Sequence, residues 1–374
     1  MAKKKLLFRN RSMELGGVEN VLLSVISALD KSKYEITLLL SFRQGEFLDR
    51  IPKEVRVVSI AGTSDNFSKF KPLRLIQRAL RRLKIIKFQK FQSGFYKTHQ
   101  LNDMDYEIAF SHNMFEDMLN SPNKKSKKIS WFHGDLRNFW ISEDRKLKLI
   151  EMMMKFDKRV FVSEFSKKGI EQKWNLSVEP SEIINNLLPL DEISRKSELP
   201  TEKDYGKINF LSIGRLQPNK GFMDLIEAHF KLIKEGYKIR TLILGEGYQH
   251  GELKQKINEL GISDSFILGG YRSNPYPYYK TADYFVLSSH SEGYSLVTAE
   301  ALFLGTPIIA TKVGAVEEMV TDGKNGLLCE PGADNLYAAM KKALDENFKA
   351  DKDSTNELVR KNRSIIKKIE ELFK

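Results

Sequence analysis

The sequence predicts an α/β protein with two doubly wound parallel sheets, and three observations lead to this prediction. Short runs of β-branched residues and leucine alternate with amphipathic helical segments along the chain. The strand segments are apolar throughout, which is typical of parallel sheets covered by helices on both faces. A polar, proline-marked stretch between Leu188 and Tyr205 interrupts this rhythm, and the 374 residues suit two domains of ordinary size.

The alternation of strands and helices can be followed in order. The segment KLLFRN predicts the first strand, and GGVENVLLSVISALDK predicts a helix with an apolar face. Further strands are predicted in YEITLLLSF, VRVVSI, YEIAFSH, KKISWFHG and KRVFVSE, and after the interruption in KINFLSIGRL, RTLILGEG, SFILGGY, YFVLSS and PIIATKV. We therefore expect two Rossmann-like domains, over residues 1–190 and 205–350, that face a central cleft.

The composition excludes several classes of protein. No apolar run approaches the roughly 18 residues of a membrane span. The apolar run of the basic N-terminus stops after Phe8, so we expect no signal peptide. Cys329 is the single cysteine, which leaves no internal disulfide and fits the reducing cytoplasm. Because no cysteine or histidine cluster has metal-ligand spacing, the sequence predicts no bound metal.

Distinctive residues follow the predicted strands. Ligands of open parallel sheets bind beyond the carboxyl ends of the strands. The residues in such positions are Gly16, Gly17, His133, Arg215, Gly245, Tyr271 and Glu292. If the two sheets face each other, these residues converge on the cleft.

The segment EGYSLVTAE places two carboxylates, Glu292 and Glu300, on either side of a predicted helix N-terminus near Ser295 or Leu296. The free amides of a first helical turn form an anion site, and Gly293 allows a ligand to approach the backbone closely. A phosphate there would be repelled by a carboxylate in contact, so the acids are expected to hold sugar and ribose hydroxyls. The alternative interpretation places Glu300 in a buried polar network or salt bridge.

The segment SIGRLQPNKGF adds two cations beyond another strand end. Arg215 offers a planar fork and Lys220 a point charge, and the two suit a pyrophosphate. Two solvated basic residues are the alternative interpretation. Taken together, phosphate cations, helix amides and flanking hydroxyl acceptors indicate a nucleotide-sugar site. The G-x-G of LGEGYQHGE lacks a third glycine at the spacing of a dinucleotide motif, so it indicates only a turn near the donor.

These segments carry a family resemblance. GRLQPNKG followed by EGYSLVTAEALFLGTPIIATKVGAVEEMVTDGKNGLL resembles family 4 of the retaining GT-B glycosyltransferases, also called glycosyl transferases group 1. The likeness is close over Ile208 to Leu344 and weaker across the N-terminal half, and the acid pair fits the family's E-x(7)-E element. The resemblance implies a GT-B fold whose final helix, over residues 351–374, returns to the N-terminal domain.

The resemblance also implies roles for the donor-site residues. Glu292 would contact the donor sugar and Glu300 the ribose hydroxyls, while Arg215 and Lys220 would neutralise the diphosphate. Backbone amides would assist at Tyr294, Ser295, Leu296 and Val297, and the backbone of Tyr271 and Arg272 would hold the base. No metal ion or further cofactor is implied.

The reaction centre follows from the same resemblance. Gly16 and Gly17 would form the glycine-rich loop near it, and His133 would lie near the transferred sugar. A structural role for this histidine is the alternative. Retention is described as front-face displacement, in which the leaving diphosphate accepts the acceptor's proton, so Glu292 is not named as a nucleophile. Its catalytic contribution, like those of Arg215 and Lys220, would be electrostatic stabilisation and orientation.

A basic segment over residues 67–97 needs its own interpretation. No acid occurs between Asn66 and Asn102, whereas ten lysine and arginine residues do, in a chain with a formal net charge of +12. The predicted helix KPLRLIQRALRRLKIIKF carries one apolar stripe, formed by Leu73, Ile76, Leu80 and Leu83. It either packs on its own domain or docks on an anionic bilayer, where each cation contributes about 1 kcal/mol. No nucleic-acid-binding module is recognisable.

The sequence therefore predicts a cytoplasmic, membrane-associated retaining glycosyltransferase. It would transfer a hexose or N-acetylhexosamine from a UDP-sugar to a glycan acceptor, expected to be a lipid-linked one of bacterial capsule or exopolysaccharide synthesis. The alternatives are a GT-B sugar phosphorylase, or a non-catalytic protein that binds a nucleotide or a membrane.

Overall fold

The computed structural model describes residues 2–64, 67–351 and 353–374. Met1, Asp65, Asn66 and Lys352 therefore lie outside the described residues, although the predicted ranges include them. The chain divides into two compact units. One contains the chain up to Leu187 together with Ile365–Lys374, and the other contains Leu188–Ser364.

The first unit is built on a seven-stranded parallel sheet. Its strands are β1 (Lys4–Asn10), β2 (Tyr34–Phe42), β3 (Arg56–Ala61), β4 (Tyr106–Ala109), β5 (Lys127–Phe132), β6 (Lys158–Phe161) and β7 (Ser181–Ile183). They lie in the order β3-β2-β1-β4-β5-β6-β7, so the winding direction reverses between β1 and β4. Central β1 is covered on both faces, which explains its unbroken apolar run from Leu6 to Phe8.

Helices connect these parallel strands. They are α1 (Gly17–Ala28), α2 (Lys71–Lys90), α3 (Gln92–Thr98), α4 (Phe115–Leu119), α5 (Glu143–Met154) and α6 (Glu164–Trp174). Helix α1 buries a stripe of Val21, Leu22, Val25 and Ile26, as the apolar spacing predicts. A buried ion pair joins β1 to the region of α4, because the Arg9 guanidinium lies 2.7 Å from the Asp117 carboxylate.

The second unit repeats the plan with a six-stranded parallel sheet. Its strands are β8 (Ile208–Ile213), β9 (Thr241–Leu244), β10 (Phe266–Gly270), β11 (Ala282–Leu287), β12 (Ile308–Thr311) and β13 (Gly326–Cys329). Their order is β10-β9-β8-β11-β12-β13, and the reversal lies between β8 and β11. The helices are α7 (Leu190–Ser197), α8 (Phe222–Lys234), α9 (His250–Glu259), α10 (Tyr276–Thr281), α11 (Leu296–Phe303), α12 (Ala333–Asp345) and α13 (Asp353–Glu371).

The structure differs from the predicted organisation in three places. The polar stretch between Leu188 and Tyr205 contains α7, which packs on α10 within the second unit, and the Asn274 side chain donates to the Lys196 carbonyl at 2.9 Å. Helix α13 begins in the second unit, and only its end, from Ile365 onward, lies in the first. Phe373, just beyond the helix, packs edge-on against Tyr34 of the first unit. Strands β7 and β13, of three and four residues, were not predicted from the sequence.

Helix α2 presents its apolar residues to solvent. Only Phe88 of this helix is buried. The predicted stripe is exposed, with exposed fractions of 45% for Leu73, 56% for Ile76, 55% for Leu80 and 57% for Leu83. The helix packs on its unit through another face, which contains the partly buried side chains of Arg74, Gln77, Arg81 and Ile85. No helix in the described part of the chain is long and apolar enough to cross a membrane.

Candidate active site

Two loops meet where the second sheet reverses its winding. Strand β8 leads into the loop that carries Arg215 and Lys220, and β11 leads into the loop that carries Glu292. These two strands are neighbours in the sheet, and both point the same way. Such a switch point is where open α/β sheets bind ligands. The fold therefore brings together charged residues that are more than seventy positions apart in sequence.

Hydrogen bonds join the two loops. The Ser288 hydroxyl donates to the Lys220 carbonyl at 2.8 Å, and the His290 amide donates to the Asn219 carbonyl at 2.8 Å. Gly221 makes this approach possible, because it has φ 62° and a Cβ there would lie 1.9 Å from the Ser288 carbonyl oxygen. Only glycine fits both the backbone conformation and the contact.

Lys220 and Glu292 form an ion pair at this junction. The Lys220 ammonium lies 2.7 Å from Glu292 Oε1, and the Ser289 hydroxyl donates to the same oxygen at 2.7 Å. The sequence assigned the two residues to different parts of a ligand and did not predict this contact. A diphosphate or sugar hydroxyl that binds here must share or replace it. Arg215 lies directly after β8 and is exposed.

The acid-bearing loop is also held from its other side. The Thr311 hydroxyl donates to the Ser289 carbonyl at 2.6 Å, and the Ala315 amide donates to the Gly293 carbonyl at 3.2 Å. Gly314 has φ 59°, and a Cβ there would lie 2.3 Å from the Glu292 carbonyl oxygen. These hydrogen bonds and the close approach at Gly314 were not predicted from the sequence, because they depend on contacts between the segments at the ends of β11 and β12.

The N-terminus of α11 has unused hydrogen-bond donors. Ser295 is the N-cap, and its hydroxyl oxygen accepts from both the amide and the hydroxyl of Thr298, at 3.4 Å and 2.8 Å. In the described part of the chain, no acceptor is found for the amides of Tyr294, Ser295, Leu296 and Val297. These amides, at the positive end of the helix dipole, can bind an anionic oxygen.

Glu300 lies one turn into α11 and is only 6% exposed. The Tyr279 hydroxyl donates to Glu300 Oε2 at 3.0 Å and also lies 3.2 Å from the Val297 carbonyl oxygen. Burial raises the pKa of Glu300 to about 7, and hydrogen bonds from Tyr279 and Tyr276 oppose this rise. The buried polar network considered as an alternative is therefore present. The predicted contact with ribose hydroxyls stays a prediction, as do the other ligand contacts.

The loop after β10 carries the residues predicted to hold the base. The Arg272 guanidinium donates to the Tyr271 carbonyl at 2.8 Å and to the Tyr205 hydroxyl. Glu246 accepts from the Tyr271 amide at 3.4 Å, and the Tyr271 side chain is 48% exposed. The backbone at Tyr271 thus already has internal partners, the Arg272 guanidinium and Glu246. Neither Glu246 nor Tyr205, which binds the Arg272 side chain, was identified from the sequence.

The remaining predicted residues lie in the first unit. Gly16 is the N-cap of α1, and Gly17 is its first residue. The His133 ring stacks on Trp131 and lies 4.7 Å from the Phe110 ring. Neither ring nitrogen forms a hydrogen bond of good geometry with a described residue.

Burial lowers the pKa of His133 to about 3, although nearby Asn186 partly opposes this change. The imidazole is therefore neutral at physiological pH, and it can donate or accept a hydrogen bond but carries no charge. His112, which follows β4 at the reversal of this sheet, also has a pKa lowered by burial. No role for His112 was predicted from the sequence.

Comparison with known proteins matches the second unit to a family. Residues 192–363 match the family described as glycosyl transferases group 1. The family resemblance found in the sequence is thereby confirmed, and all the donor-site residues named above lie within the matched region.

Two relatives illustrate how far the likeness extends. An uncharacterized glycosyltransferase of Methanocaldococcus jannaschii is 27% identical over 285 residues, which is 70% of this chain and 68% of that protein. N-acetylgalactosamine-N,N'-diacetylbacillosaminyl-diphospho-undecaprenol 4-alpha-N-acetylgalactosaminyltransferase of Campylobacter jejuni is 32% identical over 180 residues. That match covers 47% of each protein, so the chain spans about half the length of this relative.

Solved structures extend the similarity to the whole length of the chain. Anabaena HepE, in complex with UDP and glucose, has a TM-score of 0.79 at 18% identity, over 99% of both chains. Sucrose-phosphate synthase from Thermosynechococcus elongatus has a TM-score of 0.76 at 16% identity, over 99% of this chain and 98% of that one. The predicted fold class, two doubly wound α/β domains of the GT-B type, is confirmed.

Proposed function

We propose that this glycosyltransferase is a retaining, metal-independent enzyme that transfers a hexose or N-acetylhexosamine from a UDP-sugar to a glycan acceptor. The observation that carries the proposal is the junction at the β8/β11 switch point. There Lys220 reaches the loop of Glu292, and that loop leads into the open amides of α11. The UDP bound in the HepE structure supports the choice of donor.

Charge balance explains how these residues would act. When the bond between the sugar's anomeric carbon and the diphosphate breaks, negative charge builds up on the leaving phosphate oxygen. Arg215, Lys220 and the amides of Leu296 and Val297 stabilise this charge. The acceptor hydroxyl forms the new bond on the same face of the sugar, and its proton passes to the leaving diphosphate. Glu292 orients the sugar by accepting hydrogen bonds from its hydroxyls.

The proposed acceptor is a lipid-linked oligosaccharide of bacterial surface polysaccharide synthesis. The Campylobacter jejuni relative, whose name includes a diphospho-undecaprenol substrate, supports this class of acceptor. The exposed leucines of α2 and the absence of acids between Asn66 and Asn102 support peripheral attachment to an anionic membrane. Insertion of the apolar stripe of α2 into the bilayer would remove its leucine and isoleucine side chains from water. The lysine and arginine side chains of the same helix would then contact lipid phosphates.

A donor panel tests the catalytic proposal. The protein is incubated with UDP-, GDP- and ADP-sugars and a membrane extract, and released nucleotide and glycosylated product are measured by mass spectrometry. We expect turnover with a UDP-sugar and its loss in Lys220→Ala, whereas Lys234→Ala, which removes an exposed lysine from α8, stays active. NMR of the product shows whether the anomeric configuration is retained. Nucleotide binding without turnover for every donor and acceptor would contradict the proposal.

Flotation with liposomes tests the membrane proposal. Leu80→Ser/Leu83→Ser is compared with Leu147→Ser/Leu199→Ser, which removes two leucines of similar exposure, 48% each, outside α2. We expect the wild type and the control to float with vesicles that contain phosphatidylglycerol, and the α2 variant to stay in the protein-only fraction. Equal recovery of all three proteins in that fraction would refute membrane attachment through this helix.

A further inference from the structure

Two side chains of different mobility hold the carboxylate of Glu292. The Lys220 ammonium and the Ser289 hydroxyl each lie 2.7 Å from its Oε1. Ser289 is a short side chain and is 1% exposed, whereas the Lys220 side chain is 23% exposed and carries its ammonium on a flexible four-carbon stem. Because both partners contact the same oxygen, they fix which oxygen of Glu292 faces away from them.

The backbone at Ser289 is fixed from two sides. The Thr311 hydroxyl donates to the Ser289 carbonyl at 2.6 Å. The next residue, His290, is held twice: its amide donates to the Asn219 carbonyl at 2.8 Å, and its ring Nε2 lies 3.1 Å from the carboxylate of Asp224 in the first turn of α8. The loop therefore presents the Ser289 hydroxyl from a fixed position, and removal of this hydroxyl would leave the loop attached.

Lys220 has two tasks in the proposed function, whereas Ser289 has one. The lysine stabilises the diphosphate, and it also contacts Glu292. The Glu292 side chain is only 10% exposed, and a carboxylate so far removed from water requires hydrogen-bond donors. When the ammonium binds the diphosphate, the Ser289 hydroxyl is the donor that stays in place. Its hydrogen bond is strong because the acceptor is charged.

We propose that Ser289 is a positioning residue of the donor site, which holds Oε1 of Glu292 while Lys220 binds the diphosphate and so directs the second carboxylate oxygen to a hydroxyl of the donor sugar. This role rests on the proposed function. Ser289 should therefore favour binding of a nucleotide sugar but not of UDP alone, because UDP has no sugar for Glu292 to contact. Lys220 should favour binding of both, because both carry the diphosphate.

Calorimetric titration with UDP and with UDP-glucose, UDP-galactose and UDP-N-acetylglucosamine tests this role. We expect Ser289→Ala to weaken binding of the UDP-sugar that the wild type binds by roughly tenfold or more, and to bind UDP within about twofold of wild type. Ser289→Cys, whose thiol is a weaker donor, should lie between the two proteins. Lys220→Ala should weaken binding of UDP and of the UDP-sugar alike.

Two further variants separate positioning from a general effect on the fold. Ser212→Ala removes another buried serine hydroxyl of the same sheet, which donates to the Val286 carbonyl at 2.7 Å. It should lower the melting temperature about as much as Ser289→Ala does, yet bind both ligands like the wild type. Glu292→Ala/Ser289→Ala should bind the UDP-sugar no more weakly than Glu292→Ala, because the serine acts through this carboxylate.

Two results would overturn the role of Ser289 alone. Equal weakening of UDP and UDP-sugar binding in Ser289→Ala would show that the serine supports the whole loop. A further tenfold loss when Ser289→Ala is added to Glu292→Ala would show that the serine does not act through the carboxylate. A wild type that binds neither UDP nor any of the UDP-sugars is a different result, because it would refute the proposed function itself and the role of Ser289 with it.

Discussion

Replacing Glu300 by glutamine should remove a pH dependence of stability that comes from one buried carboxyl. The side chain is 6% exposed, and burial raises its pKa from 4.5 to about 7. Glutamine has nearly the same shape, and its carbonyl oxygen can accept the hydrogen bond that Tyr279 donates. It cannot ionise. The substitution therefore changes the charge of this position and little else.

The size and sign of the effect follow from the two pKa values. Below pH 4.5 the carboxyl is protonated in both the folded and the unfolded protein, so its contribution to stability is fully present. As the pH rises towards 7, the unfolded state releases the proton while the folded state keeps it, and the free energy of unfolding falls. At about 1.4 kcal/mol per pH unit, the loss amounts to about 3 kcal/mol once the pH exceeds 7.

Urea denaturation of both proteins between about pH 4.5 and pH 8.5 measures this effect. The difference between the variant and the wild type cancels the other titrating groups, which the two proteins share. We expect similar stability near pH 4.5 and a variant that is more stable by about 3 kcal/mol at about pH 8.5. A difference that stays constant across this range would refute the assignment of the raised pKa to Glu300.

Two further substitutions test what holds the structure together. Gly314→Ala should lower the melting temperature and weaken UDP binding, because its Cβ would lie 2.3 Å from a carbonyl oxygen of the acid-bearing loop. Gly323 also has positive φ, but a Cβ there would have no atom within 4 Å. Gly323→Ala should therefore show only the smaller cost of backbone strain. Equal losses of stability in the two variants would contradict the role of the contact at Gly314. Asp117→Asn should cost about 3–5 kcal/mol in urea denaturation, because it leaves the buried Arg9 charge unpaired. Glu151→Gln, in an exposed pair, should cause no measurable change, and a similar loss in both variants would show that burial does not set the cost.

The fold was predictable because its main signal is local. Apolar strands such as the one from Lys4 to Asn10 are buried on both faces of a sheet, and this leaves an unbroken apolar run in the sequence. The meeting of the two charged loops was predictable for a related reason, since each loop follows the end of a strand. Arg215 lies in the loop that follows β8 and Glu292 in the loop that follows β11, and the order of the strands makes these loops neighbours.

The contacts within the site were not predictable, because they depend on distances between segments far apart in sequence. Nothing in the local pattern around Lys220 indicates that its ammonium would meet Glu292, 72 positions away. Tyr279 is likewise 21 positions from Glu300, on a different helix. The requirement for glycine at position 314 is evident only from the structure, which places the Glu292 carbonyl oxygen where a Cβ would lie.

Helix α2 shows a different limit of sequence reasoning. Its leucine stripe revealed an amphipathic helix, but such a pattern does not specify which face a domain buries. The structure buries Phe88 and leaves Leu80 and Leu83 more than half exposed. Exposed aliphatic side chains in water carry a cost that a bilayer would remove.

The two acids of the E-x(7)-E element lie in different electrostatic environments, although the sequence presents them as a symmetrical pair. Glu292 has a lysine ammonium as its counter-charge, whereas the partners of Glu300 among the described residues are tyrosine hydroxyls. The ribose hydroxyls proposed to bind Glu300 donate hydrogen bonds, so they favour the ionised form that burial disfavours. Nucleotide binding should therefore release a proton near neutral pH. Calorimetric titration of UDP in buffers of different ionisation enthalpy measures this release, and an equal release in Glu300→Gln would show that it comes from another group.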